Sequence, residues 1–416
     1  MRVLNDLRKL TLVFFITLLC LPATARDWSQ WRGANRDGRT DSFVAPKTWP
    51  KTLKEEWKVT VGVGHSSPVE ALGKLYVFAR QAEEEVLLCL DAATGKQLWR
   101  ASYPVAYDIH PAAMGHGKGP KSTPAVSAGR VYTFGISGIL SCFDARDGQL
   151  KWRADFSRQY KQTSPLYGTA MSPIVENGLV LAHVGGHDAG TLMAFDAATG
   201  RVRWTYDGDG PAYSSPVTAT LAGVGQLITY TQKQLVGINL ADGKPLWQLP
   251  AKTGYDTNSM TPVLYKDLII YAREGQGMAA IRLVKQGASL TPQEVWKNAE
   301  NELSMNTPVI EGKQLFGLSI KKRGQFFSLD ADTGKTLWQS DGRQAENIAL
   351  VHAGKYLFAL TNEAKLFVLP ADAKSFTPLA QYEVAKSPTW AHPLVTGHRI
   401  LVKDETTLTS WAIPAN

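Results

Sequence analysis

The sequence is poor in cysteine and in long apolar runs. It has three cysteines among 416 residues, none adjacent to another, so a small scaffold held together by disulfides is excluded. No run reaches the roughly 18 consecutive apolar residues that a membrane-spanning helix needs, and we predict no transmembrane segment. The net charge is +8, and the densest basic cluster is only Lys321-Lys322-Arg323. So short a cluster is typical of a solvated hairpin, and we predict no nucleic-acid binding.

The sequence also lacks the short motifs of common enzymes and metal sites. It contains no G-x-S-x-G, no Walker loop and no Rossmann glycine pattern. The pairs His110/His116 and His183/His187 do not supply the four convergent ligands of a closed zinc site. We therefore assign no catalytic residue and no metal ligand.

The first 25 residues have the pattern of a secretory signal peptide. Three basic residues precede an apolar run from Leu10 to Leu21, and Ala23-Thr24-Ala25 follows. This pattern predicts cleavage after Ala25 and export, to the periplasm or out of the cell. Lipidation of Cys20 is the minor alternative, because Leu19 stands where a lipid-attachment site has Gly or Ala.

One unit recurs along the chain. The segment LCLDAATGKQLW (88–99) returns as SCFDARDGQLKW (141–152), MAFDAATGRVRW (193–204), GINLADGKPLW (237–247) and FSLDADTGKTLW (327–338). Each segment predicts two strands joined by a tight turn, in which Gly supplies a positive φ. A second element runs in step with it: a Pro that begins an apolar strand, a Gly-containing turn and an aromatic strand, as in STPAVSAGRVYTF (122–134).

Each unit is therefore four short strands, here called A to D. Residues 55–416 comprise 362 positions, about 45 for each of eight units, which is the size of a four-stranded propeller blade. The last unit lacks strand D, and KEEWKV (54–59) near the N-terminus supplies one. We predict an all-β fold, an eight-bladed β-propeller of four-stranded antiparallel blades, with an N-terminal arm (26–54) and the ring (55–416) closed by the N-terminal strand.

The bulky residues of strand D occupy one equivalent position in every unit. Tyr382 holds this position in the seventh unit, and the others hold tryptophan: Trp57, Trp99, Trp152, Trp204, Trp247, Trp296 and Trp338. We interpret them as packing between blades and not as ligand platforms. Cys89 and Cys142 also occupy equivalent positions, in sheets too far apart for a disulfide, so two buried free thiols are expected.

The D-x-x-T-G-x-x-x-W hairpins resemble the pyrroloquinoline-quinone (PQQ) repeat of the quinoprotein alcohol dehydrogenase-like propellers. The opening DWSQWRGANRDG (27–38) is similar to a group of secreted bacterial propellers in the same superfamily. That superfamily includes the propeller lipoprotein of the outer-membrane β-barrel assembly machinery, which binds protein and no quinone.

The resemblance implies two kinds of function. Quinoprotein dehydrogenases carry adjacent cysteines against the quinone, and this sequence has no such pair. We therefore expect no cofactor. PQQ with calcium is the alternative, for which Asp108, Asn258 and Asn306 are the candidate ligands or base.

Polar residues just before the A strands are the candidate ligand-binding set. In a propeller these positions ring the mouth of the central channel, where side chains from several blades converge. The set consists of His65, Lys121, Tyr213, Asn258, Asn306, Asn347 and His392. The simpler alternative is that these groups cap strand ends or hold channel water.

Two adjacent connections are long enough to cover one side of this mouth. Trp99 to Pro124 spans 25 residues and Trp152 to Pro173 spans 21, whereas Trp57 to Pro68 spans 11. Long loops on a rigid scaffold often carry function. The candidate lid residues are His110, His116, Lys118 and Tyr167.

The sequence therefore favours an exported, non-catalytic propeller, expected to be a monomer. It would bind a protein partner or a small molecule at the channel mouth. The alternatives are a PQQ-dependent dehydrogenase and a scaffold for outer-membrane protein assembly.

Overall fold

The computed structural model describes residues 27–160, 165–254, 257–273, 275–287 and 289–414. The predicted signal peptide (1–25) and Cys20 lie outside these residues. The described strands form eight sheets arranged as blades around a ring, each with four antiparallel strands, and one sheet has a short parallel strand added at its edge. The predicted eight-bladed propeller is confirmed. No helix in these ranges is long and apolar enough to cross a membrane.

The strands are short and follow one another with tight turns. Blades 1 to 4 consist of β3 (Val69–Ala71), β4 (Lys74–Gln81), β5 (Glu84–Asp91) and β6 (Gln97–Pro104); β7 (Ala125–Ser127), β8 (Arg130–Phe134), β9 (Ile139–Asp144) and β10 (Leu150–Asp155); β11 (Ile174–Glu176), β12 (Leu179–Gly186), β13 (Ala189–Asp196) and β14 (Val202–Gly208); β15 (Val217–Leu221), β16 (Val224–Tyr230), β17 (Gln234–Asn239) and β18 (Pro245–Pro250). Blades 5 to 7 consist of β19 (Val263–Tyr265), β20 (Leu268–Arg273), β21 (Gly277–Gln286) and β22 (Ser289–Asn298); β23 (Val309–Glu311), β24 (Gln314–Ser319), β25 (Gln325–Asp330) and β26 (Thr336–Gln339); β27 (Ile348–Ala353), β28 (Tyr356–Thr361), β29 (Lys365–Pro370) and β30 (Ala380–Glu383). Blade 8 consists of β31 (Leu394–Thr396), β32 (Arg399–Lys403), β33 (Thr407–Ala412) and, as its outermost strand, β2 (Lys54–Thr60), while the two-residue β1 (Arg39–Thr40) lies beside β27. Two 3-10 helices, Pro111–His116 and Lys321–Arg323, lie in loops.

The ring is closed by the N-terminal strand, as the sequence predicts. Strand β2 pairs antiparallel with β33, and Trp57 lies opposite Ser410. The same register places Trp99 opposite Cys89 and Trp152 opposite Cys142. Blade 8 is therefore built from both ends of the chain, which leaves neither terminal strand of the ring as a free edge.

The repeated hairpin is held by its own side chains. Asp91 Oδ1 accepts hydrogen bonds from the backbone nitrogens of Ala93 and Thr94 and from the Thr94 hydroxyl, at 2.7–3.1 Å. Gly95 follows with φ +70°. The acidic residue thus satisfies the turn backbone, and Gly supplies the left-handed residue that the turn requires.

The strand D tryptophans join each blade to the next. The Trp99 indole lies against Gly148 of blade 2, and its Nε1 donates to the Ala145 carbonyl at 3.3 Å. The same contact recurs where Trp152 donates to Ala197, Trp204 to Leu240, Trp296 to Ala331 and Trp338 to Ala373. Trp57 lies against Gly95 without that bond, and Trp247 donates to Gln226 of its own blade.

The two described cysteines are buried and free. Cys89 is fully buried between blades, and burial raises the pKa of its thiol to about 11. The prediction of two separate thiols is confirmed.

Substituting the hairpin glycines tests the contact between blades. A Cβ on Gly148 would lie 2.6 Å from Trp99, whereas a Cβ on Gly129 would meet open space, and both residues have φ near +75°. Gly129→Ala therefore incurs only backbone strain, and Gly148→Ala adds the steric clash. We expect Gly148→Ala to lower the free energy of unfolding by about 2 kcal/mol more than Gly129→Ala does. Equal losses in urea titrations of the two variants would contradict this assignment.

The N-terminal arm crosses the centre of the ring and contacts every blade. Its hydrogen bonds, from blade 1 to blade 8, are Glu70 N to Trp28 O (2.9 Å), Val126 N to Ser29 O (2.7 Å), Arg36 Nη2 to Pro173 O (2.6 Å), Arg36 Nη1 to Pro216 O (2.7 Å), Trp31 Nε1 to Thr261 Oγ1 (3.2 Å), Arg32 Nη1 to Thr307 O (2.9 Å), His352 N to Gly38 O (2.8 Å) and Val44 N to Gly397 O (2.8 Å). Backbone groups at the inner edges of the A strands thereby gain hydrogen-bond partners in the arm. The arm fills the channel that an open ring would leave.

Candidate functional site

A cavity of about 310 Å³ lies at the channel mouth, above the arm. Trp31 of the arm contributes to its lining, and the residues that precede the A strands surround it. The cavity is formed where all eight innermost strands begin, so every blade can place a side chain in it. It is therefore the site at which the fold concentrates side chains from distant parts of the sequence.

One position in every blade lines the cavity. In seven blades this residue lies three positions before the Pro that begins strand A, and in blade 7 Leu350 replaces that Pro. The eight lining residues at this position are His65, Lys121, Ala170, Tyr213, Ser259, Met305, Asn347 and Trp390. A constant offset from the Pro, or from Leu350 in blade 7, therefore identifies one lining residue in each blade.

Four of the seven predicted mouth residues hold this position and line the cavity: His65, Lys121, Tyr213 and Asn347. The placement of Asn258, Asn306 and His392 needs correction, because none of them is among the lining residues. These three lie four, two and one positions before the Pro, and all are buried within the ring wall.

The three buried residues serve the backbone and the arm. Asn258 Nδ2 donates to the carbonyls of Thr231, Gln232 and Ala251 at 2.7–3.3 Å. Asn306 Nδ2 donates to Leu318 O at 3.0 Å. The His392 ring packs edge-on against Trp31, with ring centroids 4.5 Å apart.

The two long connections contribute one lining residue each from the predicted lid set. His116 ends the 3-10 helix Pro111–His116, and its ring contacts Tyr167 with centroids 5.3 Å apart. Both line the cavity. His110 instead caps the start of that helix by accepting from Ala112 N at 3.2 Å, and Lys118 is not part of the lining. These two predicted lid residues are therefore not in the cavity.

Sequence reasoning missed the two tryptophans of the site. Trp390 stacks on His65 with ring centroids 5.6 Å apart, and Trp31 Nε1 donates to Thr261. The constant offset from the Pro would have identified Trp390, since it stands three residues before Pro393. The sequence predicts that Trp31 packs the arm on the ring, but it gives no sign that this residue reaches the cavity, which it does because the arm crosses the channel.

The cavity is electropositive near neutral pH. Burial lowers the pKa of Lys121 to about 8, so its ammonium group is still protonated at pH 7. Burial, together with the ammonium groups of Lys121 and Lys403, lowers the pKa of His65 to about 3. Burial and Lys121 also lower the pKa of His116. Both imidazoles are neutral, and Lys121 carries the charge.

The lining does not fit calcium-bound PQQ. Calcium takes several oxygen ligands, usually including carboxylates. No described lining residue is Asp or Glu, and the described residues contain no group of three His, Cys, Asp or Glu side chains able to hold a metal ion. Of the three candidates for that chemistry, Asn258 and Asn306 are bound in the ring wall, and Asp108 lines a separate cavity of about 60 Å³. We therefore derive no reaction through this group.

Comparison with known proteins places the chain among relatives of one kind. A family model described as "Outer membrane protein assembly factor BamB" matches residues 83–340. Outer membrane protein assembly factor BamB of Yersinia pestis is 24% identical over 366 residues, which are 83% of this chain and 85% of that protein.

Two solved structures share the fold. BamB from Moraxella catarrhalis matches with a TM-score of 0.63 and 14% identity, over 88% of this chain and 99% of that one. Quinohemoprotein alcohol dehydrogenase ADHIIG from Pseudomonas putida HK5 matches with a TM-score of 0.68 and 13% identity, over 94% and 81%. Likeness at these identities shows the fold alone. The family model, however, spans more than half of the sequence, and the chain therefore belongs to the outer membrane protein assembly factor BamB family.

Proposed function

We propose that this chain is an exported, non-catalytic scaffold for outer-membrane protein assembly, which holds a protein partner against the face that bears the mouth cavity. The observation that carries the proposal is the family match over residues 83–340, which spans most of blades 1 to 6. The relative from Yersinia pestis, named as an outer membrane protein assembly factor, aligns over most of both chains. Cleavage after Ala25 stays a prediction.

The shape of the mouth face supports a binding role. The connections that follow β6 and β10 stand beside the cavity, and each supplies a lining residue to it. Met114 and Met305 expose 68% and 48% of their surface on this side. Flexible apolar side chains on loops held by a rigid ring are suited to contact another protein.

Shortening one long connection tests the proposal. Residues 110–117 can be replaced by a short Gly-Ser linker without removing Val105, Tyr107 or Ile109, which pack in the core between blades 1 and 2. We expect the tagged mature chain to capture components of the outer-membrane protein assembly machinery from solubilised envelopes of its host. The shortened variant should capture at least about tenfold less, because interface energy is concentrated in few residues.

The matched control is Lys335→Ala, an exposed change in the turn between β25 and β26, on the opposite face of the ring. Its capture should equal that of the native chain. Mass spectrometry of the captured proteins gives the readout. Capture of no assembly component, or equal capture by the shortened and native chains, would refute the proposal.

A further inference from the structure

The mouth cavity holds a cation that has no counter-ion among the residues that the structure describes. The Lys121 ammonium makes no ion pair with any described carboxylate, and none of the described lining residues is acidic. A partly buried charge in such surroundings is costly unless something of opposite sign neutralises it. Burial of this ammonium group lowers its pKa. The structure thus provides the cation of a charge-assisted hydrogen bond, for which a ligand could supply the anion.

Aromatic side chains from four separate elements line the same cavity as this cation. Trp390 precedes blade 8, Tyr167 and Tyr213 precede blades 3 and 4, and Trp31 belongs to the arm. Tyr167 and Tyr213 contact each other with ring centroids 5.5 Å apart. Rings held by different parts of the fold present large apolar faces at little entropic cost.

Hydrogen-bonding groups complete the lining. Asn347 is 8% exposed, and its Oδ1 has no hydrogen-bond partner among the described residues. Serine and threonine residues, including Ser259 and Ser304, also line the cavity. Together these groups suit a ligand with an apolar ring, one negative charge and at least one polar atom.

We propose that the mouth cavity binds an aromatic carboxylate, with the carboxylate at Lys121 and the ring against the aromatic wall. The inference rests on the proposed function in one respect: a protein partner could present this chemistry as a C-terminal aromatic residue. A free aromatic acid is the other source of the same chemistry. The described lining has no carboxylate to hold a calcium ion, so the proposed contact is with Lys121 and not with a bound metal.

Calorimetric titration of the mature chain tests the inference with four probes. They are 3-phenylpropionate, 3-phenylpropionamide, a hexapeptide ending in a free phenylalanine carboxylate, and the same peptide amidated. We expect saturable one-to-one binding of at least one carboxylate, unchanged by EDTA, and about tenfold or greater weakening for its amide, because a charge-assisted hydrogen bond is lost. Tighter binding of the peptide acid than of the small acid assigns the site to a chain terminus, and the reverse assigns it to a free acid.

Variants locate the contact. Lys121→Met should weaken binding about tenfold or more, Lys121→Arg should retain most of it, and Lys118→Met, three residues away outside the lining, should leave it unchanged. Equal binding of acids and amides, or no binding by any probe to a chain that melts cooperatively, overturns the inference. Capture of an assembly partner despite that result leaves the proposed function standing. Binding of an acid without such capture refutes only the proposed function.

Discussion

Replacing Arg36 by methionine is expected to lower the free energy of unfolding by about 3 kcal/mol, because two A-strand carbonyls lose their donor. Arg36 is 4% exposed, and its guanidinium donates to Pro216 O at 2.7 Å and to Pro173 O at 2.6 Å. Burial lowers the pKa of Arg36 to about 9, so the group is still charged at neutral pH. One side chain of the arm therefore holds blades 3 and 4 together.

Arg39 provides the matched control, since it lies three residues further along the same arm. Its Nη1 contacts Glu311 at 2.9 Å and donates to Ile310 O at 2.7 Å, but more than a third of the Arg39 and Glu311 side chains is exposed. Exposed ion pairs contribute little, and Arg39→Met should lower the free energy of unfolding by at most about 1 kcal/mol. Urea titrations of the two variants give the comparison. Equal losses would show that the arm rests on the ring surface and does not brace it.

The ring could be predicted because its information is local and repeated. Asp91, Gly95 and Trp99 specify a turn and the contact with a neighbouring blade within nine residues, and later units repeat the pattern. Trp57, near the N-terminus, matches the strand D tryptophans of the other units. For that reason the strand that closes the ring could be recognised from the sequence. Consistency between turn chemistry and packing is what makes a repeat readable from sequence.

The cavity was harder to predict, because depth in the channel changes with every residue of a strand. Polar type and a place just before strand A selected Asn258, Asn306 and His392, and none of the three is in the lining. The position three residues before the Pro is held by Ala170 in blade 3 and by Met305 in blade 6, and no search for polar residues would choose either of them. The register of the A strands was therefore a better guide than side-chain chemistry.

The path of the arm could not be predicted at all. Arg32 and Arg36 bind backbone carbonyls of Thr307, Pro308, Pro173 and Pro216. Every residue has such a carbonyl, so these hydrogen bonds do not depend on the side chain of the partner residue. Contacts of this kind, up to 276 residues apart in sequence, leave no pattern from which they could be inferred.

The second large effect expected is a loss of stability in mild acid, from two buried histidines. His183 and His392 are 2% and 5% exposed, and burial lowers the pKa of His183 to about 4 and that of His392 to about 3. In the unfolded chain each has a pKa near 6.5, so below that pH the unfolded state binds protons that the folded state does not. Stability is therefore fully present above about pH 6.5 and falls as the pH decreases. At pH 5 we expect a loss of about 2 kcal/mol for each histidine.

His392→Thr isolates one of these contributions. Thr123, Thr261 and Thr307 occupy the equivalent position in other blades, one residue before the Pro, so the variant follows the repeat. Free energies of unfolding from urea titrations at pH 7.5 and pH 5 should differ by about 2 kcal/mol less in His392→Thr than in the native chain. Buried Glu85, whose pKa burial raises, shifts stability in the opposite direction on acidification, but equally in both proteins. His110→Gln, a change at an exposed residue outside the core, should leave the difference between the two pH values unaltered. An unchanged difference in His392→Thr would mean that this imidazole takes up its proton within the folded ring.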